Sequence, residues 1–306
     1  MRLVVVGQAA FGGETLDRLS REHDVVAAYC PADPPSGRID PMKAKALEKG
    51  IPVFQPKSMK TDEVHRQFAA HEADLGLLAY VTVIVPERII QLPRLGTLCF
   101  HPSLLPRYRG GSALNWQIIR GEKHGGLTVF WTDAGIDTGP ILLQKEVDIG
   151  PDDTTGSLYY DKIFPLGIDA MEEAVRLVAQ GSAPRIVQDD ARASYDPLCK
   201  DEHVGIDWSR PPRAVYDLIR GADPQPGAWT LRRDEKLRLY DARLESSSGA
   251  RGEVLEITEN GARIGVGDAV LRVARFRTGD SSKKVTAGDL ARNGALAVGD
   301  RFESSP

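Results

Sequence analysis

The sequence contains few cysteines, few aromatic residues and no long apolar run. Its three cysteines, Cys30, Cys99 and Cys199, are odd in number and far apart, which argues against a disulfide framework or a zinc cluster and suits a reducing compartment. The longest uncharged apolar stretch covers residues 75–85, well short of the roughly 20 residues that a membrane-spanning helix requires. We therefore expect a cytoplasmic protein without a membrane partner.

The sequence also lacks the motifs of common cofactors and metals. Residues 7–13, Gly-Gln-Ala-Ala-Phe-Gly-Gly, do not have the Gly-x-Gly-x-x-Gly spacing that brings backbone close to a pyrophosphate. No phosphate-binding P-loop, His-x-x-x-His pair or Cys-x-x-Cys pair occurs. With 39 basic and 43 acidic residues the net charge is -4, so nothing demands a nucleic acid partner. We expect neither a nicotinamide cofactor nor a metal.

Strand-like and helical segments alternate over the first part of the chain. β-Branched runs at Leu3–Val6 and Val25–Tyr29 enclose a helical segment at Glu14–Arg21. The alternation continues to a long amphipathic helix predicted at Thr155–Gln180. Strand, helix, strand order is typical of parallel sheets with crossover helices. The sequence therefore predicts an α/β fold, with a doubly wound and mostly parallel sheet, over residues 1–185.

The remainder of the chain has a different pattern. Residues 186–204 contain proline and aspartate without a steady periodicity, so we predict a linker that crosses the surface. Four short alternating runs follow, at residues 237–244, 252–258, 262–266 and 269–278. Evenly spaced short strands separated by turn residues are typical of a small barrel. We predict a smaller C-terminal, OB-like β-barrel domain over residues 205–306.

A histidine ends one of the predicted strands, in the segment Cys-Phe-His-Pro-Ser-Leu-Leu-Pro at residues 99–106. The turn at Pro102 places His101 at the carboxyl edge of the sheet, where open α/β proteins bind ligands. Because side chains alternate along a strand, Cys99 and His101 share one face. The alternative is a histidine that only satisfies a carbonyl group at the strand end.

A second polar segment lies between the next two predicted strands. Residues 133–140, Asp-Ala-Gly-Ile-Asp-Thr-Gly-Pro, provide two carboxylates and two glycines, a layout that can hold one aspartate beside a histidine on a neighbouring strand. A carboxylate near an imidazole raises the pKa of the ring and fixes its tautomer, as acid–base chemistry near neutral pH requires. The same sequence is also compatible with an ordinary turn.

Together the two segments resemble the folate-dependent formyltransferases, the family of glycinamide ribonucleotide transformylase and methionyl-tRNA formyltransferase. The likeness covers nearly the whole chain. It is closest to the N-terminal hydrolase module of 10-formyltetrahydrofolate dehydrogenase, through stretches such as residues 100–109, 142–146, 206–208 and 226–230. The resemblance implies a Rossmann-like formyltransferase fold, with 10-formyltetrahydrofolate as the formyl donor and co-substrate.

The resemblance also implies roles for individual residues. His101 and Asp137 match the family's catalytic pair: His101 would act on the formyl oxygen and Asp137 on proton movement, while a tetrahedral intermediate forms and releases tetrahydrofolate. The folate pocket would be formed by Tyr80, Val81, Val83, Ile84, Ser103, Leu104, Asp133, Ala134, Ile136 and Thr138. For Val81 and Val83, a buried strand with its following turn is the alternative.

One position departs from the transferases. They carry asparagine two residues before the histidine, where this chain has Cys99, and a thiol is a much poorer hydrogen-bond donor than an amide. The hydrolase module of the dehydrogenase also lacks this asparagine, so the departure favours that branch. Cys99 is either an inert packing residue or, with a lowered pKa, a nucleophile that accepts the formyl group.

The formyl acceptor stays open, as water or an amine. The methionyl-tRNA enzyme has a long basic insertion early in the chain, whereas residues 31–49 here are few and mix four cations with three acidic residues, which weakens tRNA as a substrate. A sugar-nucleotide amine is another candidate. Since the sequence ends at Pro306, the further modules of the dehydrogenase are not expected. The non-enzymatic alternative is a folate-binding protein that has lost turnover through Cys99.

Overall fold

The computed structural model describes residues 1–279 and 281–304, which fall into two units that interleave along the chain. The first unit comprises residues 1–111, 125–147 and 161–195, and the second comprises residues 112–124, 148–160 and the chain from residue 196 onwards. The domain ranges 1–185, 186–204 and 205–306 stay predictions.

Strands and helices alternate through the first half of the chain, and strands dominate the end. The strands are β1 (Arg2–Gly7), β2 (Asp24–Tyr29), β3 (Val53–Phe54), β4 (Leu75–Ala79), β5 (Thr97–His101), β6 (His124–Trp131), β7 (Ile141–Asp148), β8 (Trp229–Arg232), β9 (Glu235–Glu245), β10 (Val254–Thr258), β11 (Gly261–Gly265), β12 (Val270–Thr278) and β13 (Val285–Thr286). The α-helices are α1 (Ala9–Leu19), α2 (Pro41–Glu48), α3 (Asp62–Ala69), α4 (Glu87–Ile90), α5 (Ala113–Ile119), α6 (Thr155–Ser157), α7 (Phe164–Ala179), α8 (Pro212–Gly221) and α9 (Ala287–Arg292). A π-helix (Leu158–Ile163) and two 3₁₀-helices (Asp190–Arg192 and Asp201–His203) complete the regular structure of the described residues.

The first unit is built on a seven-stranded sheet in the order β3-β2-β1-β4-β5-β6-β7. The strands from β1 to β5 pair in parallel, and β6 runs antiparallel to β5. The predicted doubly wound, mostly parallel sheet is thus confirmed. The strand order reverses between β1 and β4, and open α/β proteins bind ligands beyond the carboxyl ends of the strands at such a switch point.

The central strands are apolar because both of their faces are covered. All five residues of β4 are buried, as expected for a parallel strand with helices on both sides of the sheet. Helix α7 approaches the sheet closely at Gly167, where a Cβ atom would lie 2.7 Å from the ring of Phe100. Phe100 in turn packs against Phe11 of α1, with the ring centroids 4.3 Å apart.

The predicted start of one helix is wrong, and a second predicted helix has the expected ends but is not one continuous α-helix. Helix α1 begins at Ala9 rather than Glu14, because the Asp40 carboxylate accepts the Ala9 N–H at 2.9 Å and satisfies the start of the helix from another part of the chain. The long helix predicted at Thr155–Gln180 is α6, the π-helix and α7 in succession. The change of helix type precedes Pro165, which has no N–H to donate to the preceding turn.

The second unit contains an antiparallel sheet in the order β10-β11-β12-β9-β8, with β13 paired to β12. The prediction of a smaller C-terminal part built of β-strands is confirmed, and its four predicted runs correspond to β9, β10, β11 and β12. Strand β8 was not predicted, since its four residues are too few to establish an alternation.

One segment near the end of the chain pairs with both outer strands of this sheet. Glu303 forms a bridge with Leu231 of β8, and Arg301 forms a bridge with Glu253 immediately before β10. The Val254 N–H also donates to the Asp300 carbonyl at 2.9 Å. These pairings connect the two edges of the sheet through one segment of the chain.

None of the helices within residues 1–279 and 281–304 is long and apolar enough to cross a membrane. In the same ranges, no three His, Cys, Asp or Glu side chains meet as ligands of a metal ion would.

Replacing Asp201 with Asn should lower the free energy of unfolding at pH 7 by about 1 kcal/mol, a value reduced for the exposure of this side chain. The carboxylate accepts hydrogen bonds from both terminal nitrogens of Arg238, at 2.5 and 2.8 Å, and from Lys236 at 3.1 Å. The hydrogen bonds from Arg238, and then the one from Lys236, lower the pKa of Asp201 to about 2.

The pH dependence provides the check on this effect. A carboxyl group whose pKa is lowered by folding stabilises the protein above its unfolded pKa of 3.8, and the stabilisation is lost as the pH falls through about 2. Urea titrations from pH 7 to pH 2 should therefore show the difference between wild type and Asp201→Asn shrinking below about pH 4. A difference that is constant over this range would contradict the assignment.

Candidate active site

The structure brings His101 and Asp137 together at the carboxyl edge of the first unit's sheet. His101 is the last residue of β5, and Asp137 lies in the loop between β6 and β7. The His101 Nδ1 atom is 3.5 Å from Asp137 Oδ2, and both side chains are largely buried, with exposed fractions of 7% and 15%. The loop and the strand end therefore supply an imidazole and a carboxylate to one place.

The two ring nitrogens of His101 have different partners. Nε2 is 2.7 Å from the Tyr108 carbonyl oxygen. A carbonyl group can only accept, so Nε2 carries the proton of this hydrogen bond. Nδ1 faces Asp137 and is the ring atom at which a second proton can be taken up or released. His101 thus satisfies a carbonyl at the strand end and also presents Nδ1 to a carboxylate.

Asp137 is fixed by its side chain as well as by its backbone. Its Oδ2 atom accepts the Gly110 N–H at 2.8 Å, so the turn that contacts Nε2 of His101 also contacts the carboxylate. Two residues later the chain passes so close to β6 that a Cβ atom on Gly139 would lie 1.7 Å from the Trp131 carbonyl oxygen. Only glycine fits at this position, which explains the glycine that follows Asp137 and Thr138 in the loop.

Three residues around the pair adopt the left-handed backbone conformation, although none is glycine. Tyr80 follows β4 with a φ angle of +62°, Tyr108 has +59° and Asp137 has +56°. Such a conformation costs roughly 1–3 kcal/mol per residue and persists only where surrounding contacts enforce it. Strained backbone of this kind occurs at active sites and ligand clamps, and in this chain it also occurs in turns elsewhere, such as Arg233 and Asp234 between β8 and β9.

Cys99 faces the same site, as the strand alternation predicts. Its thiol packs beside the cluster of Leu105, Phe130 and Ile141, and its Sγ atom lies 3.5 Å from the Phe100 carbonyl oxygen. Burial, with a further contribution from the Asp137 carboxylate, raises the pKa of the Cys99 thiol far above its usual range. A protonated thiol is a poor nucleophile, so these surroundings favour the packing hypothesis over a formyl-accepting thiolate.

Several of the predicted pocket residues expose apolar surface on two loops near the pair. Tyr80, Val83 and Ile84 follow β4, and Ile136 directly precedes Asp137; their exposed fractions are 41%, 57%, 70% and 46%. Val81 is partly buried and packs against the core of the first unit. Exposed apolar side chains in neighbouring loops suit the flat surface of an aromatic ligand.

The polar members of the predicted pocket mainly organise the loops. The Asp133 Oδ1 atom accepts the Gly135 N–H at 3.0 Å and the Thr138 hydroxyl at 2.6 Å. Ser103 is fully buried and donates to the Arg107 carbonyl at 2.7 Å. Leu104 is half-buried, and Ala134 is exposed at the tip of its loop. Contact of these residues with a substrate stays a prediction.

A cavity of about 460 Å³ opens at the switch point of the sheet. It is lined by residues at or after the ends of β1, β2, β3 and β4, among them Gln8, Lys57, Lys60, Val83 and Ile84. Its volume is within the range of small-molecule pockets. His101 and Asp137 are not among its lining residues, so the cavity and the pair are separate features of this edge of the sheet.

Sequence reasoning missed residues that hold this site together. Arg109 lies in the turn after β5, is 8% exposed and donates to Gln188 Oε1 through Nη2 at 2.8 Å. Its sequence neighbours give no sign of this burial, because the partner lies far along the chain, in the segment 186–204. Ser194, in that segment, accepts the Tyr108 N–H on its hydroxyl at 2.7 Å. No local pattern marks Gln188 or Ser194, and only their place between two prolines and several polar residues distinguishes the segment.

Comparison with known proteins identifies matches to both parts of the chain. A family model described as formyl transferase matches residues 1–175, and one described as formyl transferase, C-terminal domain, matches residues 199–293. Cytosolic 10-formyltetrahydrofolate dehydrogenase of Xenopus tropicalis is 42% identical over 264 residues, which cover 84% of this chain and 29% of that protein. The chain therefore spans less than a third of the length of this relative.

A second relative matches over its full length. Methionyl-tRNA formyltransferase of Geobacter metallireducens is 34% identical over 308 residues, which cover 99% of this chain and 98% of that protein. Among solved structures, HypX from Aquifex aeolicus in complex with tetrahydrofolic acid has a TM-score of 0.74, with 19% sequence identity over 97% of this chain and 48% of that one. At this identity the structural likeness concerns the fold, and it agrees with the predicted Rossmann-like formyltransferase fold.

The surroundings of Cys99 make its reactivity a direct test of its protonation. Iodoacetamide at pH 8 should modify Cys99 at least about 10-fold more slowly in the folded protein than in urea, because only the thiolate reacts. Peptide mass spectrometry after timed quenching measures the rate for each cysteine separately. Cys30 and Cys199, whose pKa values are raised to about 11 by burial, are internal comparisons. Rapid modification of Cys99 in the folded protein would contradict the packing hypothesis and support a nucleophilic thiolate.

Proposed function

This chain belongs to the formyl transferase family, as its motifs suggested, and from that premise we propose that it removes the formyl group of 10-formyltetrahydrofolate and releases tetrahydrofolate. The observation that carries the proposal is the pairing of His101 with Asp137 at the carboxyl edge of the sheet. The pair stands beside loops that expose apolar side chains. A site for acid–base chemistry and a surface for a heteroaromatic ligand therefore lie next to each other.

The reaction requires the protein to stabilise charge on the formyl oxygen and to move a proton. A nucleophile adds to the formyl carbon, the bond from that carbon to N10 breaks, and N10 gains the proton that the nucleophile loses. His101 stabilises the negative charge that develops on the formyl oxygen. It does so through Nδ1, since Nε2 donates to the Tyr108 carbonyl. Asp137 accepts or relays the nucleophile's proton and controls the charge of the ring. Its second oxygen, Oδ1, is the atom left for a water or an amine, because Oδ2 accepts the Gly110 N–H.

The two loops suit the pteridine and the atoms next to it. Val83, Ile84 and Ile136 are exposed and apolar, and burying such surface against a ring yields about 25 cal/mol for each Å² removed from water. The left-handed turns at Tyr80 and Asp137 change the direction of the main chain next to these side chains. Backbone groups at such turns can bind the polar edge of a heterocycle.

Water is the acceptor that we favour, with transfer to an amine as the second candidate. The full-length similarity to methionyl-tRNA formyltransferase is the observation in favour of a tRNA acceptor. Against it, the lysines of residues 31–49 already have carboxylate partners: Lys43 pairs with Asp33, Lys45 with Glu48, and Lys49 with Asp17. Lysines that are paired with carboxylates in this way contribute little to the binding of phosphate groups on which RNA binding depends.

Replacing His101 or Asp137 with Asn should lower kcat for tetrahydrofolate release by at least about 100-fold, because either change removes a proton-transferring or charge-stabilising group. Release is followed spectroscopically after mixing the pure protein with 10-formyltetrahydrofolate. His124→Asn is a matched control, since His124 also faces an aspartate, Asp148 at 2.9 Å, but both side chains are exposed on the surface.

The same assay separates the candidate functions. Release by the protein alone supports hydrolysis, and release that requires methionyl-tRNA or an amine supports transfer. If the wild type binds the folate but releases nothing under any of these conditions, the folate-binding alternative replaces the enzyme. Equal activity of wild type and the His101→Asn variant would refute the proposed site.

A further inference from the structure

The side chain of Gln188 connects the two segments that hold the His101–Asp137 pair. Its Nε2 atom donates to the carbonyl oxygens of Asp137 at 2.9 Å and Gly139 at 2.7 Å. Its Oε1 atom accepts from Arg109, through Nε at 3.2 Å and Nη2 at 2.8 Å. Both donor hydrogens and both acceptor positions of the carboxamide are thus used, and the residue is only 7% exposed.

Each contact of Gln188 ends beside one member of the pair. The Asp137 carbonyl belongs to the residue whose carboxylate faces His101, and that residue is in the left-handed conformation. Arg109 is preceded by Tyr108, whose carbonyl accepts the hydrogen bond from His101 Nε2. It is followed by Gly110, whose N–H binds Asp137. Gln188 therefore fixes the loop of the carboxylate relative to the turn that orients the imidazole.

The chain around Gln188 reinforces this arrangement. The Arg109 N–H donates to the Ser194 carbonyl at 2.9 Å, and the Tyr108 N–H donates to the Ser194 hydroxyl at 2.7 Å. Arg109 also pairs with Asp190 at 2.8 Å. Every one of these residues belongs to the first unit, and residues 188–194 lie alongside the turn as a brace.

We propose that Gln188 is a positioning residue for the reaction: it holds the backbone of Asp137 so that the carboxylate and His101 Nδ1 keep their separation. The inference rests on the proposed function for its effect on turnover. The four hydrogen bonds of the Gln188 amide go to neither His101 nor the Asp137 carboxylate, so its contribution passes through the loop backbone at Asp137 and Gly139 and through Arg109. A misplacement of about 1 Å in such a pair can reduce the rate by about 100-fold.

Two substitutions of Gln188 distinguish the loss of its hydrogen bonds from the introduction of a buried charge. Gln188→Glu keeps an acceptor for Arg109 but places carboxylate oxygens against the carbonyls of Asp137 and Gly139, which lose their donors. Gln188→Met removes all four hydrogen bonds without burying a charge. The matched control is Gln117→Glu, because Gln117 is also a buried glutamine that donates to a backbone carbonyl, at 3.0 Å to Ala113, and lies in the second unit.

We expect both Gln188 variants to lower kcat for tetrahydrofolate release by about 10- to 100-fold, with KM for 10-formyltetrahydrofolate changed less than about 3-fold. The ¹H–¹³C NMR signal of the His101 ring at pH 7 should also move relative to wild type, since the carboxylate beside it is displaced. Gln117→Glu should leave kcat and the His101 signal unchanged, even if it lowers the melting temperature.

The outcomes are distinguishable from a failure of the proposed function. Wild-type protein that releases no tetrahydrofolate overturns the function, and the His101 signal then decides whether Gln188 positions the pair. Folded Gln188 variants with wild-type kcat overturn the positioning role in turnover. An unmoved His101 signal in both variants, or a loss of kcat that Gln117→Glu reproduces, also overturns it.

Discussion

The hydrogen bond from His101 Nε2 to the Tyr108 carbonyl is the constraint on which the site depends. It closes a loop of seven residues on the end of β5 and commits one ring nitrogen to the fold. Nδ1 is thereby aimed at Asp137. Without it the imidazole could rotate about its side-chain bonds and satisfy the carboxylate with either nitrogen. The fold thus leaves one defined atom for chemistry.

This constraint requires strained backbone conformations, which contacts from distant parts of the chain maintain. Tyr108 and Asp137 both have positive φ angles, and neither could hold its conformation by local preference alone. Ser103 and Ser194 bind the turn around Tyr108, and Gln188 binds the carbonyl of Asp137. The hydrogen bonds of the brace, each worth about 1 kcal/mol net, are comparable to the strain that they oppose.

The sequence predicted features that depend on neighbouring residues, and it did not predict those that depend on contacts between distant parts of the chain. The periodicity of residues 3–6 and 25–29 predicted parallel strands, because a strand buried on both faces must be apolar throughout. His101 and Asp137 were predicted from their turns and from the family likeness. Gln188 was not, since a lone glutamine in an aperiodic segment has no pattern to reveal that its amide lies beneath a loop about 50 residues away. The early start of α1 was missed for the same reason, because its cap comes from Asp40.

Asp40 also bears on what the neighbouring cavity can accept. In dinucleotide-binding folds the start of the first helix is open and binds a phosphate through its free N–H groups. Here the Asp40 carboxylate accepts the N–H of Ala9 and that of Met42. A carboxylate of the protein itself therefore occupies the starts of both α1 and α2. A phosphate would have to displace this carboxylate and leave Met42 without its cap. The start of α1 beside Gln8 is therefore a poor site for a phosphate, and the cations that line the cavity are instead Lys57 and Lys60, which follow β3.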